Sequence, residues 1–413
     1  MLGVLCFNVM KEKKEGWFVS KYQRKVLVST AAGIGLENMD IMFLAFSLSS
    51  IITSLNITSV EAGFISTITN LGMLVGGIFF GLLADKFGRV KIFSYTVITF
   101  SVASLLMMFA TNVYWVYLFR FIAGIGAGGE YGACMSLVSE TFDKKHLARA
   151  TSVVAIGGQV GAILAAILAS LIIPVLGWKM LYVIGVLPVL LVLVIRRDLK
   201  EPEDFTTEAK EAKKADFSLL FKGRKTTWQT IGLSLMVTVQ IAGYFGLMNW
   251  LPSIMQKQLG LSVSGSSLWM ISTILGMSLG MLTFGTIMDK LGPRLSFGLF
   301  LIASSASVYL LTLAKGQWSL LIAAVIVGYF INGMYGGYGA IISFLYPTEI
   351  RATANNFIMN VGRAIGGFSS VVIGFLMDHY NLTVVVMFLS VIYLVSLVIM
   401  LNIPGLKRYK LAD

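Results

Sequence analysis

The sequence predicts an all-α integral membrane protein whose twelve transmembrane helices form two six-helix halves related by pseudo-two-fold symmetry. Composition is the first observation: of the 413 residues, 57% are hydrophobic and 13% are charged, whereas soluble domains carry about 25% charged residues. A mean hydropathy of +0.83 points the same way. The second observation is a series of long apolar runs, and the third is a repeat of short motifs between the two halves.

Twelve apolar runs, each near the length of about 20 residues that spans a bilayer, alternate with turns that contain charged residues, glycine, proline or asparagine. They lie at residues 25–54, 61–84, 91–111, 114–139, 148–173, 179–197, 227–255, 264–288, 295–314, 318–345, 352–377 and 382–402. The longest polar stretch follows the sixth run. The predicted division is a cytoplasmic N-terminal segment at 1–24, a six-helix bundle at 25–197, a cytoplasmic linker at 198–226, a second six-helix bundle at 227–402 and a cytoplasmic tail at 403–413.

The distribution of positive charge predicts the orientation of the helices. Lys179, Lys257 and Lys315 are the cationic residues in loops on one side, while Arg120 and Arg363 lie inside apolar runs. The other lysines and arginines lie at the termini and in loops on the opposite side, which the positive-inside rule assigns to the cytoplasm. We therefore expect a multi-pass protein of the cell membrane with both termini in the cytoplasm.

The N-terminal stretch MLGVLCFNVMKEKKEGW has its apolar residues before its charges, the reverse of a signal peptide.

Composition also argues against several other classes of protein. A net charge of +12 follows from the positive-inside rule, so nucleic-acid binding is not needed to explain it. The two cysteines and two histidines are scattered, and the sequence therefore predicts no disulfide framework and no metal site. Because no nucleophile–base pair and no phosphate-binding loop is recognisable, we expect neither an enzyme nor a bound cofactor.

Motifs repeat between the two halves, as is typical of transporters built from internal repeats. The segment GLLADKFGR at 81–89 recurs as GTIMDKLGPR at 285–294, each between the second and third helix of its half. The segment EYGACMSLVSE at 130–140 has a counterpart in GYGAIISFLYPTE at 337–349. Offsets of about 204 to 209 residues predict a duplicated six-helix unit.

These motifs resemble the signature of the major facilitator superfamily. Its loop after helix 2 reads Gly-x-x-x-Asp-Arg/Lys-x-Gly-Arg-x-Arg/Lys. The matching residues here are Gly81, Asp85, Lys86, Gly88, Arg89 and Lys91, with a weaker copy at Gly285, Asp289, Lys290, Gly292 and Arg294. The resemblance implies the two-half fold of that superfamily and transport by alternating access.

Three segments resemble the proton-coupled organic-acid symporters within this superfamily, which include the sialate and monocarboxylate, aromatic-acid and niacin permease groups. They are residues 120–133, 176–196 and 346–367. In those groups helix 1 usually carries Asp-x-x-Asp, and here it carries Glu37 and Asp40. Sugar porters are the alternative, although KEPEDF at 200–205 is only a partial match to their usual helix 6 exit.

Four charged residues inside the predicted helices are candidates for proton coupling: Glu37, Asp40, Arg120 and Glu130. Ionisable groups at this depth normally face the bundle interior and mark a substrate or proton path. Glu37 and Asp40 are three residues apart and share a helical face, and two close carboxylates in a medium of low dielectric cannot both ionise cheaply. Arg120 is expected to pair with a carboxylate of helix 1 or to neutralise Glu130. The alternative for the whole set is a group of buried salt bridges that only fix the helix register.

Arg363 is the main candidate for binding a substrate anion, because its planar fork of donors suits a carboxylate. Asn356 and Asn360 precede it at helical spacing on the same face and offer two amides for hydroxyl or carbonyl groups. The alternative for Arg363 is a structural bridge to Asp40 or Glu37. Further polar side chains are expected to line a central cavity: Gln159, Gln240, Tyr244 and Asn332.

The repeated loop motif predicts a cytoplasmic gate that latches the helix ends of the two halves. Its predicted members are Gly81, Asp85, Lys86, Gly88, Arg89, Glu140, Arg149, Asp289, Arg294, Glu349 and Arg351. A solvated, positively charged rim is the alternative, since single surface ion pairs contribute little.

A charge count indicates the mechanism. With Glu37, Asp40, Arg120, Glu130 and Arg363 all ionised, the helices hold one excess negative charge. A second negative charge, brought in by a monocarboxylate, is unfavourable in a low dielectric unless a proton enters with it. The sequence therefore predicts symport of a proton with a small organic acid, by a protein that works as a monomer in the lipid bilayer. A proton-coupled or facilitative sugar or polyol porter is the alternative.

Overall fold

The computed structural model describes residues 20–142, 144–187, 189, 217–314 and 316–406, and this part of the chain is helical without a β-strand. Its first six helices are α1 Lys21–Leu55, α2 Ser59–Phe87, α3 Arg89–Leu106, α4 Val113–Thr141, α5 Lys144–Leu176 and α6 Trp178–Val183. The remaining six are α7 Arg224–Leu259, α8 Val263–Leu291, α9 Pro293–Ser307, α10 Gln317–Gly333, α11 Thr348–Gly366 and α12 Leu382–Leu401.

Three helices of the second half have a second segment. These segments are Leu310–Leu313 after α9, Tyr338–Leu345 after α10 and Ser369–His379 after α11. A 3₁₀ turn, Met334–Gly337, separates the two segments of α10. The sequence GMYGGYG covers this break, which is consistent with the low helix propensity of glycine.

The described helices fit the twelve predicted apolar runs. Ten of them are long and apolar enough to cross a membrane by length and composition. The exceptions are α4, whose apolar character is reduced by Arg120, Glu130 and several glycines, and α6, whose later residues lie mostly outside the described part. Large apolar side chains such as Phe79, Leu282 and Val398 are exposed on the helices, as expected of surfaces that contact lipid.

The repeated loop motif has the same backbone conformation in both copies. Gly88, between α2 and α3, has a φ angle of 104°, and Gly292, between α8 and α9, has a φ angle of 78°. A side chain is strained in this region, whereas glycine adopts it freely. The second glycine of the motif is therefore needed to turn the chain between consecutive helices.

Glycines also let corresponding helix pairs pack with their backbones in contact. A Cβ atom at Gly76 of α2 would collide with the carbonyl oxygen of Ile125 on α4, and one at Gly280 of α8 would collide with that of Tyr329 on α10. Small residues permit such close approach in membranes, where packing and not water exclusion drives association. The duplication predicted from the sequence thus reappears in the contacts between helices.

Contacts divide the chain into two compact units. The first contains α1 up to Phe43 and the chain from Leu71 through α6; the second contains Leu44–Asn70 and α7 to α12. The predicted boundaries of the two bundles at 25–197 and 227–402, and of the linker at 198–226, stay predictions, because most of the linker lies outside the described residues.

Candidate functional site

A buried ion pair joins α1 to α4 in the first unit. Arg120 Nη1 donates a hydrogen bond to Asp40 Oδ2 at 2.9 Å, and both residues are almost completely buried, with exposures of 0% and 3%. Of the alternatives that the sequence left open for Arg120, the structure shows the pairing with a helix 1 carboxylate. A charge buried at this depth is costly unless it is paired and hydrogen-bonded, and the pair meets both conditions.

Two further residues contact this ion pair, and neither was predicted from the sequence. The hydroxyl of Ser104, on α3, donates to Asp40 Oδ1. The ring of Tyr182, on α6, lies 6.0 Å from the Arg120 guanidinium carbon, a cation–π geometry. Serine and tyrosine are too frequent in apolar helices for either residue to stand out before the helices are packed.

Glu130 has the opposite environment. It is fully buried on α4, and neither of its carboxylate oxygens has a hydrogen-bond partner among the described residues. Its carboxyl group lies against Gly33 of α1 and Phe93 of α3, where a Cβ atom on Gly33 would be 2.5 Å from Glu130 Oε1. Phe93 belongs to an apolar cluster that also includes Ile34 and Val97. Glu130 is therefore a buried acid without a hydrogen-bond partner among the described residues, on one of the two helices that the ion pair joins.

Glu37 and Asn38 shortly precede Asp40 on α1. Glu37 is buried and acts electrostatically on Glu130. Asn38 Nδ2 donates to the Gly158 carbonyl oxygen of α5 at 2.8 Å. All four predicted proton-coupling residues are thus buried on α1 and α4 of the first unit.

A second polar cluster lies in the second unit and contains Gln240 of α7 and Asn332 of α10. Gln240 Nε2 donates to the Ile331 carbonyl oxygen at 2.7 Å and to Asn332 Oδ1 at 3.3 Å. Asn332 Nδ2 contacts the sulfur of Met281 at 3.7 Å, a weak acceptor. Gln240 Oε1 is buried and has no hydrogen-bond partner in the described part of the chain.

Two tyrosines lie close along the chain to this amide cluster. Tyr244 follows Gln240 by four residues on α7, and Tyr335, in the 3₁₀ turn after α10, follows Asn332 by three residues. Arg363 of α11 and Tyr335 both act electrostatically on Tyr244. Tyr244, a predicted substrate-binding residue, is therefore within electrostatic range of the predicted anion-binding arginine.

The other predicted substrate-binding residues are placed less favourably. Asn360 Nδ2 donates to the Asn356 carbonyl oxygen of its own helix at 2.9 Å, so this amide is engaged within α11. Asn356 is exposed and Gln159 is half-buried on α5. Their contribution to substrate binding stays a prediction.

The predicted gate is described only in part. Arg294 Nη2 donates to the Leu401 carbonyl oxygen at 3.3 Å, Asp289 is exposed, and Arg89 and Arg351 are half-buried. The side chains of Asp85, Lys86, Glu140, Arg149 and Glu349 lie outside the described residues, so the latch that the motif predicts stays a prediction. Gly81 and Gly88 belong to the motif at the end of α2.

Comparison with known proteins identifies the family to which the chain belongs. The model of the Major Facilitator Superfamily matches residues 30–279 and 233–410, and the chain is a member of this family of transporters. It is 38% identical to a putative metabolite transport protein of Haemophilus influenzae, over 94% of this chain and 98% of that protein.

Two further relatives have names that state what they transport. The cis,cis-muconate transport protein of Acinetobacter baylyi is 30% identical over 83% of this chain and 84% of its own length. The sialic acid transporter NanX of Escherichia coli is 31% identical over 96% of this chain and 98% of its own length. The resemblance to organic-acid carriers noted in the sequence is thus confirmed.

Proposed function

We propose that this protein is a secondary active transporter of the cell membrane that carries a small organic anion together with a proton by alternating access. The observation that carries the proposal is the buried Asp40–Arg120 ion pair in the first unit. A buried carboxylate is stable as an anion while an arginine is paired with it, and it takes up a proton when the arginine leaves. Proton uptake and loss of the ion pair are therefore coupled, because neither charge is stable there alone. Relatives named for muconate and sialic acid support an organic anion as the cargo.

The proton is carried by the acidic cluster of the first unit. In this scheme Asp40 accepts a proton when Arg120 moves away from it, and Glu37 and Glu130 add the negative charge that favours proton uptake. Ser104 keeps the Asp40 carboxyl group in place in both protonation states, because a hydroxyl group both donates and accepts. No cofactor takes part, and the proton is the coupling ion.

The anion is held by Arg363 in the second unit. Its guanidinium group offers paired donors to a carboxylate, and Tyr244 and Tyr335 supply further hydroxyl groups nearby. Binding of a carboxylate to Arg363 neutralises that cation, and the proton accepted in the first unit offsets the change in charge.

The protein works as a monomer with both termini in the cytoplasm, and the loop motifs after α2 and α8 serve as its cytoplasmic gate.

Uptake by purified protein in liposomes tests this proposal. An imposed inward proton gradient is expected to drive accumulation of a radiolabelled carboxylate such as sialate or muconate. Asp40→Asn, which keeps the size of the side chain, and Arg363→Ala are each expected to reduce accumulation to the level of protein-free liposomes. Asn402→Leu, at the exposed end of α12, is the matched control and retains uptake.

The proposal is wrong if both variants accumulate the acid as the parent protein does. Loss of uptake in Arg363→Ala with normal gradient dependence in Asp40→Asn would remove Asp40 from the proton path and leave anion transport standing.

A sugar or polyol porter is the second candidate, and the Gln240–Asn332 amide pair favours it. Amides bind hydroxyl groups without a charge, and Arg363 would then have a structural role. Competition of uptake by neutral sugars, and not by carboxylates, would select this candidate.

A further inference from the structure

The amide pair of Gln240 and Asn332 has hydrogen-bonding capacity that the described residues do not use. Both side chains are buried, with exposures of 1% and 6%. Buried polar groups normally find partners, and an unused acceptor at a buried position costs free energy unless something binds it. A group in the substrate that supplies the missing partner would remove this cost.

The orientation of the Gln240 amide is fixed by its neighbours. Its nitrogen faces the Ile331 carbonyl oxygen at 2.7 Å, and a carbonyl group accepts only, so the nitrogen and not the oxygen must lie there. The Ile331 carbonyl is available because α10 ends two residues later, at the 3₁₀ turn Met334–Gly337, and the last carbonyls of an α-helix lack α-helical partners. Gln240 Oε1 is consequently the free acceptor.

Asn332 supplies the complementary donor. Its Oδ1 accepts from Gln240 at 3.3 Å, which leaves Nδ2 to donate, and the only acceptor that the described structure gives it is the Met281 sulfur at 3.7 Å. A thioether is a weak acceptor, so an oxygen atom competes with it easily. One free acceptor and one weakly engaged donor, on side chains already bonded to each other, match the single oxygen of a hydroxyl group.

We infer that Gln240 and Asn332 form a hydroxyl-binding subsite and that the transported anion is a hydroxylated carboxylate. The inference rests on the proposed function, since Arg363 must hold the carboxylate. Gln240 Oε1 accepts the hydroxyl proton, and Asn332 Nδ2 donates to the hydroxyl oxygen. Gln240 and Asn332 thus act as specificity-determining residues for the proposed transport.

Binding to the full-length protein in detergent tests this subsite with matched acids. The pairs are benzoate with para-hydroxybenzoate, phenylacetate with para-hydroxyphenylacetate, and valerate with its omega-hydroxy derivative; para-methoxybenzoate retains the oxygen but lacks the donor. Dissociation constants come from the dependence of the melting temperature on ligand concentration. We expect the hydroxylated member of at least one pair to bind about tenfold or more tightly, and the methoxy acid to bind no better than benzoate.

Variants separate the subsite from the anion site. Gln240→Met, which removes the acceptor and keeps the length of the side chain, is expected to abolish the preference for the hydroxylated acid and to leave the affinity for the plain acid unchanged. Asn402→Leu removes an amide at the end of α12 and retains the preference. Arg363→Ala weakens both members of a pair.

The outcomes distinguish a failure of the hydroxyl-binding subsite from a failure of the proposed transport function. Equal binding of all pairs by the parent protein, or a preference that survives in Gln240→Met, would overturn the subsite and leave organic-anion transport intact. Binding of neutral hydroxylated compounds and of none of the acids would overturn both the subsite as stated and the proposed function.

Discussion

Two buried acids of the first unit, Asp40 on α1 and Glu130 on α4, have opposite surroundings. Asp40 accepts hydrogen bonds from Arg120 and Ser104, whereas Glu130 lies among apolar residues with no hydrogen-bond partner in the described part of the chain. Both carboxylate oxygens of Asp40 therefore have hydrogen-bond partners. Glu130 is a buried polar group retained at a cost in stability, and such a residue is expected to be kept for function.

Replacing Glu130 by methionine is therefore expected to stabilise the protein. The substitution removes an unpartnered polar group from an apolar site and fills nearly the same volume, so the free energy of unfolding should rise by about 1 to 3 kcal/mol. Thermal unfolding in detergent measures this change. Gradient-driven uptake should fall in the same variant, because Glu37 then loses the acid that it acts on.

Glu130→Gln is the matched control for this prediction. It keeps an unpartnered polar group of the same shape, so its stability should stay close to that of the parent protein. A clear loss of stability in Glu130→Met would mean that the carboxyl group holds the helices together, and the functional interpretation of this residue would be wrong.

Each unit contains a pair of helices whose backbones are in contact at glycine residues. Gly76 and Gly128 bring α2 and α4 together, and Gly280 and Gly328 do the same for α8 and α10. The pairs occupy corresponding positions in the two halves, so the duplication concerns the packing surfaces as well as the loop motif. The hydrophobic effect does not drive helices together inside a bilayer, so close backbone packing supplies the attraction.

An alanine at Gly76 is expected to separate α2 from α4. Its Cβ atom would collide with the carbonyl oxygen of Ile125, and backbone cannot move aside as a side chain does. We expect a loss of about 1 to 3 kcal/mol or more in the free energy of unfolding, measured by thermal or denaturant unfolding in detergent. Gly280→Ala should have a similar effect in the second unit.

Gly132→Ala is the control for this pair of variants. Nothing lies within 4 Å of a Cβ atom at Gly132 on α4, and alanine is the better helix former by about 1 kcal/mol. Its stability should be unchanged or slightly raised. Equal losses at Gly76 and Gly132 would show that helix propensity, and not the contact with Ile125, determines the effect.

Much of the whole molecule is predictable from hydropathy and repetition alone. The twelve runs, the turn at Gly88 and its repeat at Gly292 follow from local patterns, because membrane helices must satisfy their backbone internally. Of the two partners predicted for Arg120, a helix 1 carboxylate and Glu130, the sequence could not select one, since the choice depends on how the helices pack. Ser104 and Tyr182 therefore emerged only from the packed structure, as did the engagement of Asn360 within its own helix.

The start of α2 belongs to the second unit and is held there by polar contacts. Asn249 Nδ2 of α7 donates to Ser66 Oγ at 2.6 Å and to Ser370 Oγ, in the second segment of α11, at 3.2 Å. Thr67 Oγ1 donates to the Gly367 carbonyl oxygen at 2.9 Å. In the orientation that the positive-inside rule predicts, these helix ends lie on the outer side of the membrane. The alternating access that we propose requires that they separate and rejoin in each transport cycle.

A covalent link between α2 and the second segment of α11 is therefore expected to stop transport. Ser66 and Ser370 both contact Asn249, so cysteines at these two positions lie within reach of a short bifunctional thiol reagent. With Cys6 and Cys134 replaced by serine, cross-linking should reduce uptake into liposomes to the protein-free level, and reduction of a cleavable linker should restore it. Each single cysteine should transport normally after the same treatment. Full uptake by quantitatively cross-linked protein would mean that α2 and α11 stay together throughout the cycle, and the outer passage would then have to open elsewhere.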